Sequence, residues 1–161
     1  MPEQTPQVVF DCNVFVQGIA NRNSPARKAL RLFFDGAISL FVSEAILREV
    51  RDVLSRPEVR HRLPGINDRI VNALLSKLEA KAISVTNVPE EYCYERDPDD
   101  EMYINLAIVA NATHLVSRDQ DLLDLMTSTD IARQFRSRYP FLRIMKAADF
   151  IAEMESRKIG V

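Results

Sequence analysis

Acidic side chains gather at four places in this sequence where an apolar run should be ending or turning inward. Asp11 and Asn13 sit within VVFDCNVFV (residues 8–16), and Glu49 lies in EAILREVRDVLSR (44–56). RDPDDE (96–101) supplies Asp97, Asp99, Asp100 and Glu101, and VSRDQDLLDL (116–125) supplies Asp119 and Asp121. An ionised carboxylate among apolar residues is costly unless a partner compensates it. Two carboxylates about 4 Å apart repel by about 4 kcal/mol at an effective dielectric near 20. If Asp11, Glu49, Asp100 and Asp119 converge, with no Lys or His in their motifs placed to pair with them, they need a cation. Hard oxygen ligands that leave water in place suit Mg²⁺ or Mn²⁺. An ion held that way activates water against a phosphate ester.

The elements that must position these acids are legible as an alternation. Residues 8–16 read as a strand, and Ser24-Pro25 supplies a cap and a first-turn proline for a helix closed by Gly36. A strand at 38–42 leads to Ser43, the cap of the helix that carries Glu49, and another helix follows Asn67. Then come an apolar stretch at 83–88, an acidic loop, a helix from about Asp99 to Ala110, and a strand at 114–117. A strand at 141–145 and the helix AADFIAEM close the pattern. Short apolar strands alternating with helices predict an α/β fold, a mainly parallel sheet covered on both faces. Sites in such sheets gather at the carboxyl ends of the strands. Asp11 and Asp119 fall there.

The two helical acids are placed by periodicity. At about 100° per residue, Ile46, Leu47, Val50, Val53 and Leu54 share an arc; Glu49 borders it, while Asp52 and Glu44 point further round. Asp100 is in line with Tyr103, Ile104 and Ala107, on the core-facing side of its helix. Each acid also has an ordinary explanation: Glu49 as a surface partner for nearby Arg, RDPDDE as a helix cap favoured by the helix dipole, VSRDQD as a capped turn. One cap does not need four carboxylates. His61 and His114 lie outside the motifs and read as structural.

Composition sets the outer limits. At 161 residues, 47% hydrophobic and 27% charged, the chain is expected to form a single domain over residues 1–161 with a sizeable core. No apolar run approaches the roughly 18 residues that span a bilayer, and MPEQTP does not resemble a signal segment. Cys12 and Cys93 form no assignable pair, so a reducing, cytoplasmic setting is expected. A net charge of −2 argues against coating nucleic acid by bulk attraction, though it leaves room for a local basic rim; Arg22, Arg27, Arg48, Arg96 and Arg118 are candidates by position.

VVFDCNVFV, SEAILREV, RDPDDEMYINLAI and LVSRDQDLL, in that order, resemble the four acidic motifs of the PIN domain (PilT N-terminus-like) family, in the branch of toxin components of toxin–antitoxin pairs. No single motif is specific; four in order over residues 7–150 are. The resemblance implies a three-layer α/β/α sandwich and a Mg²⁺- or Mn²⁺-dependent ribonuclease that hydrolyses RNA phosphodiesters. It implies Asp11, Glu49, Asp100 and Asp119 as catalytic metal ligands, with Asp121 as a further ligand or helper and Asn13 and Ser117 as supports. Ala107, matching an Ala of the family's helix, favours Asp100 over Asp99. An antitoxin partner and a homodimer are implied in the same way. Cys12 stands where the family usually has Thr or Ser, so a thiol replaces a hydroxyl beside the first Asp. Two other readings stay open: a non-catalytic module of the same fold that binds RNA or protein, and a haloacid-dehalogenase-type phosphatase. The phosphatase needs a second Asp two residues after the first, where this chain has Asn13.

Overall fold

The computed structural model describes residues 4–159. The chain begins with β1 (Gln7–Phe10), α1 (Cys12–Ala20), α2 (Pro25–Phe34) and β2 (Ser39–Ser43). It continues with α3 (Glu44–Ser55), α4 (Pro57–Arg62), α5 (Asp68–Lys81) and β3 (Ile83–Val85). A 3₁₀ turn, Pro98–Asp100, opens α6 (Glu101–Val109), which β4 (His114–Val116) follows. Then come α7 (Gln120–Leu123), a 3₁₀ turn at Asp124–Met126, α8 (Asp130–Arg138), β5 (Arg143–Met145) and α9 (Ala147–Ile159).

Among the described residues the five strands form one sheet in the order β3-β2-β1-β4-β5, with every pairing parallel. Central β1 pairs Val8 with Leu40 on one side and with His114 on the other. Val8, Val9 and Phe10 are all buried, as a strand covered on both faces requires. The chain moves from β1 to β2 to β3 in one direction and then returns past β1 to β4. With the right-handed crossovers of parallel sheets, that reversal puts the helices after β1 and β2 on one face and those after β3 and β4 on the other. α9 returns to pack on α2. The result is the three-layer α/β/α arrangement expected from the sequence. The reversal also makes the carboxyl ends of β1 and β4 the topological switch point of the sheet.

The expected strand at 8–16 is a strand only to Phe10, and residues 12–20 are helical. α1 buries Cys12, Val14, Phe15, Val16, Gly18 and Ile19, so it is apolar nearly all round and reads like a buried strand. The expected caps formed: Ser24 accepts from the Arg27 amide at 3.1 Å, Ser43 from Ile46 at 3.2 Å and Asn67 from Ile70 at 3.0 Å. Gly36, at φ +77°, ends α2 in the left-handed region that glycine enters at little cost. α4 and α8 are not expected from the sequence, and α7 is the capped turn that VSRDQD offers as its ordinary reading, with Asp119 as the cap. His61 lies exposed on α4. His114 is fully buried at the start of β4, where its Nε2 lies 3.0 Å from Glu153 of α9, and burial lowers its pKa. Among the described residues no helix is long and apolar enough to cross a membrane.

Gly18 lets α1 and α2 approach closely. A Cβ there would press into the fully buried Leu30 side chain and lie 3.2 Å from the Ala26 carbonyl oxygen. Gly18→Ala adds about 1 kcal/mol of helix propensity but overpacks this contact by about 1–3 kcal/mol. Urea denaturation is expected to show a net loss of stability; a variant more stable than wild type would contradict the close packing.

Candidate active site

Asp11 is the first residue after β1, and its own amide still donates to the Val116 carbonyl of β4 at 3.0 Å. Its side chain caps α1, taking the Asn13 amide on Oδ1 at 2.7 Å. Support from Asn13 therefore comes through its backbone N–H. Oδ2 of Asp11 accepts the hydroxyl of Ser117, a fully buried residue at the exit of β4. Ser117 Oγ in turn accepts the Asp119 amide at 2.9 Å, so one hydroxyl ties the ends of the two switch-point strands together. Asp119 caps α7 and takes the Asp121 amide at 2.9 Å.

The third segment arrives from the loop before α6. Asp97 caps the 3₁₀ turn, accepting from the Asp99 amide at 3.2 Å. Pro98 starts that turn and Asp100 ends it. Asp99 is exposed, whereas Asp100 is only 7% exposed and its Oδ2 has no hydrogen-bond partner among the described residues. Asp97, Asp100, Asp119 and Asp121 each bring a carboxylate oxygen within 4.8 Å of the others.

The structure thus brings together three of the five expected acids, Asp100, Asp119 and Asp121, and adds Asp97, which the sequence suggested only as a cap. Asp11 is joined to this group through Ser117 rather than lying within it. Glu49, half-buried on α3, is set apart again: it accepts the hydroxyl of Tyr103 on α6. That Tyr103 oxygen also accepts the Cys12 amide at 3.2 Å. In the sequence Tyr103 reads only as a core-facing neighbour of Asp100. Its i+3 spacing from Asp100 was the available sign that it stands beside the site.

Charge is poorly compensated here. Asp11 is pushed up to about 6, chiefly by burial, with the hydrogen bonds from Ser117 and Asn13 pulling the other way. Asp100 is raised well above the usual carboxylate range by burial first and then by the charges of Asp119 and Asp97. Burial, with Glu49 and Asp11 nearby, pushes the Cys12 thiol up to about 12, so it stays protonated. Arg96 is the cation at the edge of the cluster, and it is divided: Nε lies 2.7 Å from Asp121 and Nη2 lies 2.6 Å from Asp124. Among the described residues no Lys or Arg forms an ion pair with Asp97, Asp100 or Asp119. An orphaned, buried carboxylate oxygen among four acids is what a hard divalent cation would satisfy. The donor set fits such an ion.

The PIN domain family profile matches residues 7–121, a span that includes every one of these acids. The chain belongs to the PIN domain family. It is also 30% identical over 149 residues to the uncharacterized protein MJ1680 of Methanocaldococcus jannaschii, covering 92% of each chain. PIN domains are in general metal-dependent nucleases, and the acidic cluster at the switch point accords with a nuclease-type function. Of the arginines placed on the rim by sequence, Arg27 donates to the Gly18 and Ile19 carbonyls and Arg48 pairs with Glu44 at 2.9 Å. Arg96 is engaged as above. Arg22 and Arg118 are exposed and form no ion pair among the described residues.

The raised carboxylates imply a pH dependence with a definite sign. Between the ordinary carboxylate value and the raised folded value, the folded protein holds a proton that the unfolded chain has released. Stability of the metal-free protein therefore falls as pH rises through that window. Thermal melting in EDTA between pH 5 and 8 should show a smaller decline for Asp100→Asn than for wild type. Parallel curves would contradict the crowding at Asp100.

Proposed function

We propose that this PIN domain is a Mg²⁺- or Mn²⁺-dependent endoribonuclease that hydrolyses RNA phosphodiester bonds. The observation that carries the reading is the group of carboxylates around Asp100, whose Oδ2 has no partner among the described residues, at the carboxyl ends of β1 and β4. Asp100 and Asp119, with Asp97 and Asp121 beside them, would hold the ion, and Asp11 and Glu49 complete the acidic set. When bound, a divalent ion supplies Lewis-acid stabilisation of charge on the phosphate and activation of water. The chain's residues do the positioning. Ser117 fixes the distance between Asp11 and Asp119, and the caps on α1, α7 and the turn before α6 hold three carboxylates at helix starts. Arg118 lines a small cleft with Asn13, Gln17 and Ser117, where it would meet an RNA phosphate.

Resemblance to the toxin branch of the family supports a role as the toxin of a toxin–antitoxin pair in the cytoplasm, as a homodimer with a protein antitoxin as partner. A non-catalytic RNA- or protein-binding module is the alternative, and the test below separates the two.

Mn²⁺ or Mg²⁺ at millimolar concentration should raise the Tm relative to EDTA, through a stabilisation of about 1–3 kcal/mol when the ion is at roughly 5 to 150 times its Kd. Asp100→Asn should lower Mn²⁺-dependent cleavage of labelled single-stranded RNA by about 100-fold or more while leaving the protein folded in EDTA. Asp52, exposed and paired with Arg56 on the outer side of α3, is the control: Asp52→Asn should change neither property much. Metal binding without cleavage in wild type would favour the binding module. An Asp100→Asn variant that cleaves like wild type would remove Asp100 from the metal set.

A further inference from the structure

Tyr103 carries a hydroxyl where a phenyl ring alone would fill the space. Its side chain is almost wholly buried beneath the acidic site, and its oxygen has two partners, both far away in sequence. It donates to Oε2 of Glu49 on α3 and accepts the amide of Cys12, the first residue of α1 and the neighbour of Asp11. Amides in the first turn of a helix have no partner within the helix, so the phenol oxygen satisfies an otherwise unpaired buried donor. Having accepted there, it has its single proton to give, and Glu49 receives it. Burial and Glu49 both push the Tyr103 hydroxyl upward in pKa, so the proton stays in place. One oxygen thus joins α6, α3 and the start of α1, the elements that carry or adjoin Asp100, Glu49 and Asp11.

Among the described residues Glu49 has no other hydrogen-bond or ion-pair partner. None of the arginines of α3 pairs with it: Arg48 is taken by Glu44 and Arg51 by Glu79. A free Glu side chain samples many rotamers, and holding one costs entropy that a hydrogen bond in place before substrate arrives has already offset. We propose that Tyr103 is a positioning residue for the reaction: it holds the Glu49 carboxylate at the start of α1, against the Cys12 amide that follows Asp11. The proposal rests on the nuclease reading of the same site. It goes beyond the acidic motifs by assigning Glu49's geometry to a residue one turn past Asp100.

The test has a metal-free arm and a catalytic arm. In EDTA-treated protein, proton NMR should show an exchange-protected Tyr103 hydroxyl signal at low field. The signal should be absent in Tyr103→Phe and move upfield in Glu49→Gln, whose neutral amide oxygen accepts more weakly. A signal indifferent to Glu49→Gln would overturn the contact. In the catalytic arm, Tyr103→Phe keeps the ring and is expected to melt cooperatively in EDTA within a few degrees of wild type. It should lower Mn²⁺-dependent RNA cleavage by about 10- to 100-fold. The double variant Tyr103→Phe with Glu49→Gln should cleave no worse than Glu49→Gln alone, because the hydroxyl acts through that carboxylate. Wild-type cleavage by Tyr103→Phe, or losses that multiply in the double variant, would overturn the positioning role. Loss of the nuclease reading looks different. The hydroxyl signal would respond to Glu49→Gln as expected while wild-type protein cleaved no RNA with either ion, and the catalytic consequence would fall with it.

Discussion

Uncompensated negative charge is the constraint around which this protein is arranged. Four carboxylates bring oxygens within 4.8 Å of one another, Oδ2 of the buried Asp100 has no hydrogen-bond partner among the described residues, and Arg96 is shared between Asp121 and an acid outside the group. Each close pair repels by about 3–4 kcal/mol at an effective dielectric near 20. A chain selected only for stability would replace some of these acids. Keeping them costs the metal-free fold, and proton uptake by Asp11 and Asp100 is one way in which that fold relieves the cost. A divalent cation is the other.

The fold can hold the cluster because the rest of it is built conservatively. An all-parallel sheet whose central strand buries Val8, Val9 and Phe10 supplies rigid strand ends, and its reversal of strand order makes the carboxyl ends of β1 and β4 the switch point. Asp11, Asp97 and Asp119 each cap a helix or turn, so each exchanges part of its electrostatic cost for backbone hydrogen bonds that the chain needs anyway. Ser117 removes play between the two strand ends. Phe10, at the end of β1, packs edge-on against Phe15 and Phe150, fixing the residue before Asp11 from α1 and from α9. Structural economy and site geometry are served by the same bonds.

Much of this was legible in the sequence because it rests on local rules. Caps at Ser24, Ser43 and Asn67, the proline at the start of the turn before α6 and the strand–helix rhythm all follow from neighbours a few residues apart. Helical phase separated Glu49 from Asp52 and put Asp100 in line with the core-facing side, because burial in a helix repeats with a fixed period; the preference for Asp100 over Asp99 came from the family resemblance at Ala107. The parts that were not legible depend on contacts between distant segments or on ambiguous hydrophobicity. α1 reads as strand because it is buried nearly all round. Asp97 reads as a cap, which it is; that its carboxylate also faces Asp119 and Asp121 follows only from how the loop before α6 meets β4. Arg96 reads as a rim cation until Asp121 and Asp124 fold back upon it. Tyr103 has partners 54 and 91 residues away, beyond any periodicity.

The central claim is that the acids at the switch point exist to hold a divalent cation, and locating the ion tests it directly. Crystals of the wild-type protein soaked in Mn²⁺ should give an anomalous difference peak between Asp97, Asp100, Asp119 and Asp121, within bonding distance of the Asp100 oxygen that otherwise has no partner. Asp100→Asn crystals soaked in the same way should show that peak lost or greatly weakened. A soaked wild-type crystal with no anomalous peak at this site, or with the ion bound elsewhere and the four carboxylates unchanged, would contradict the account.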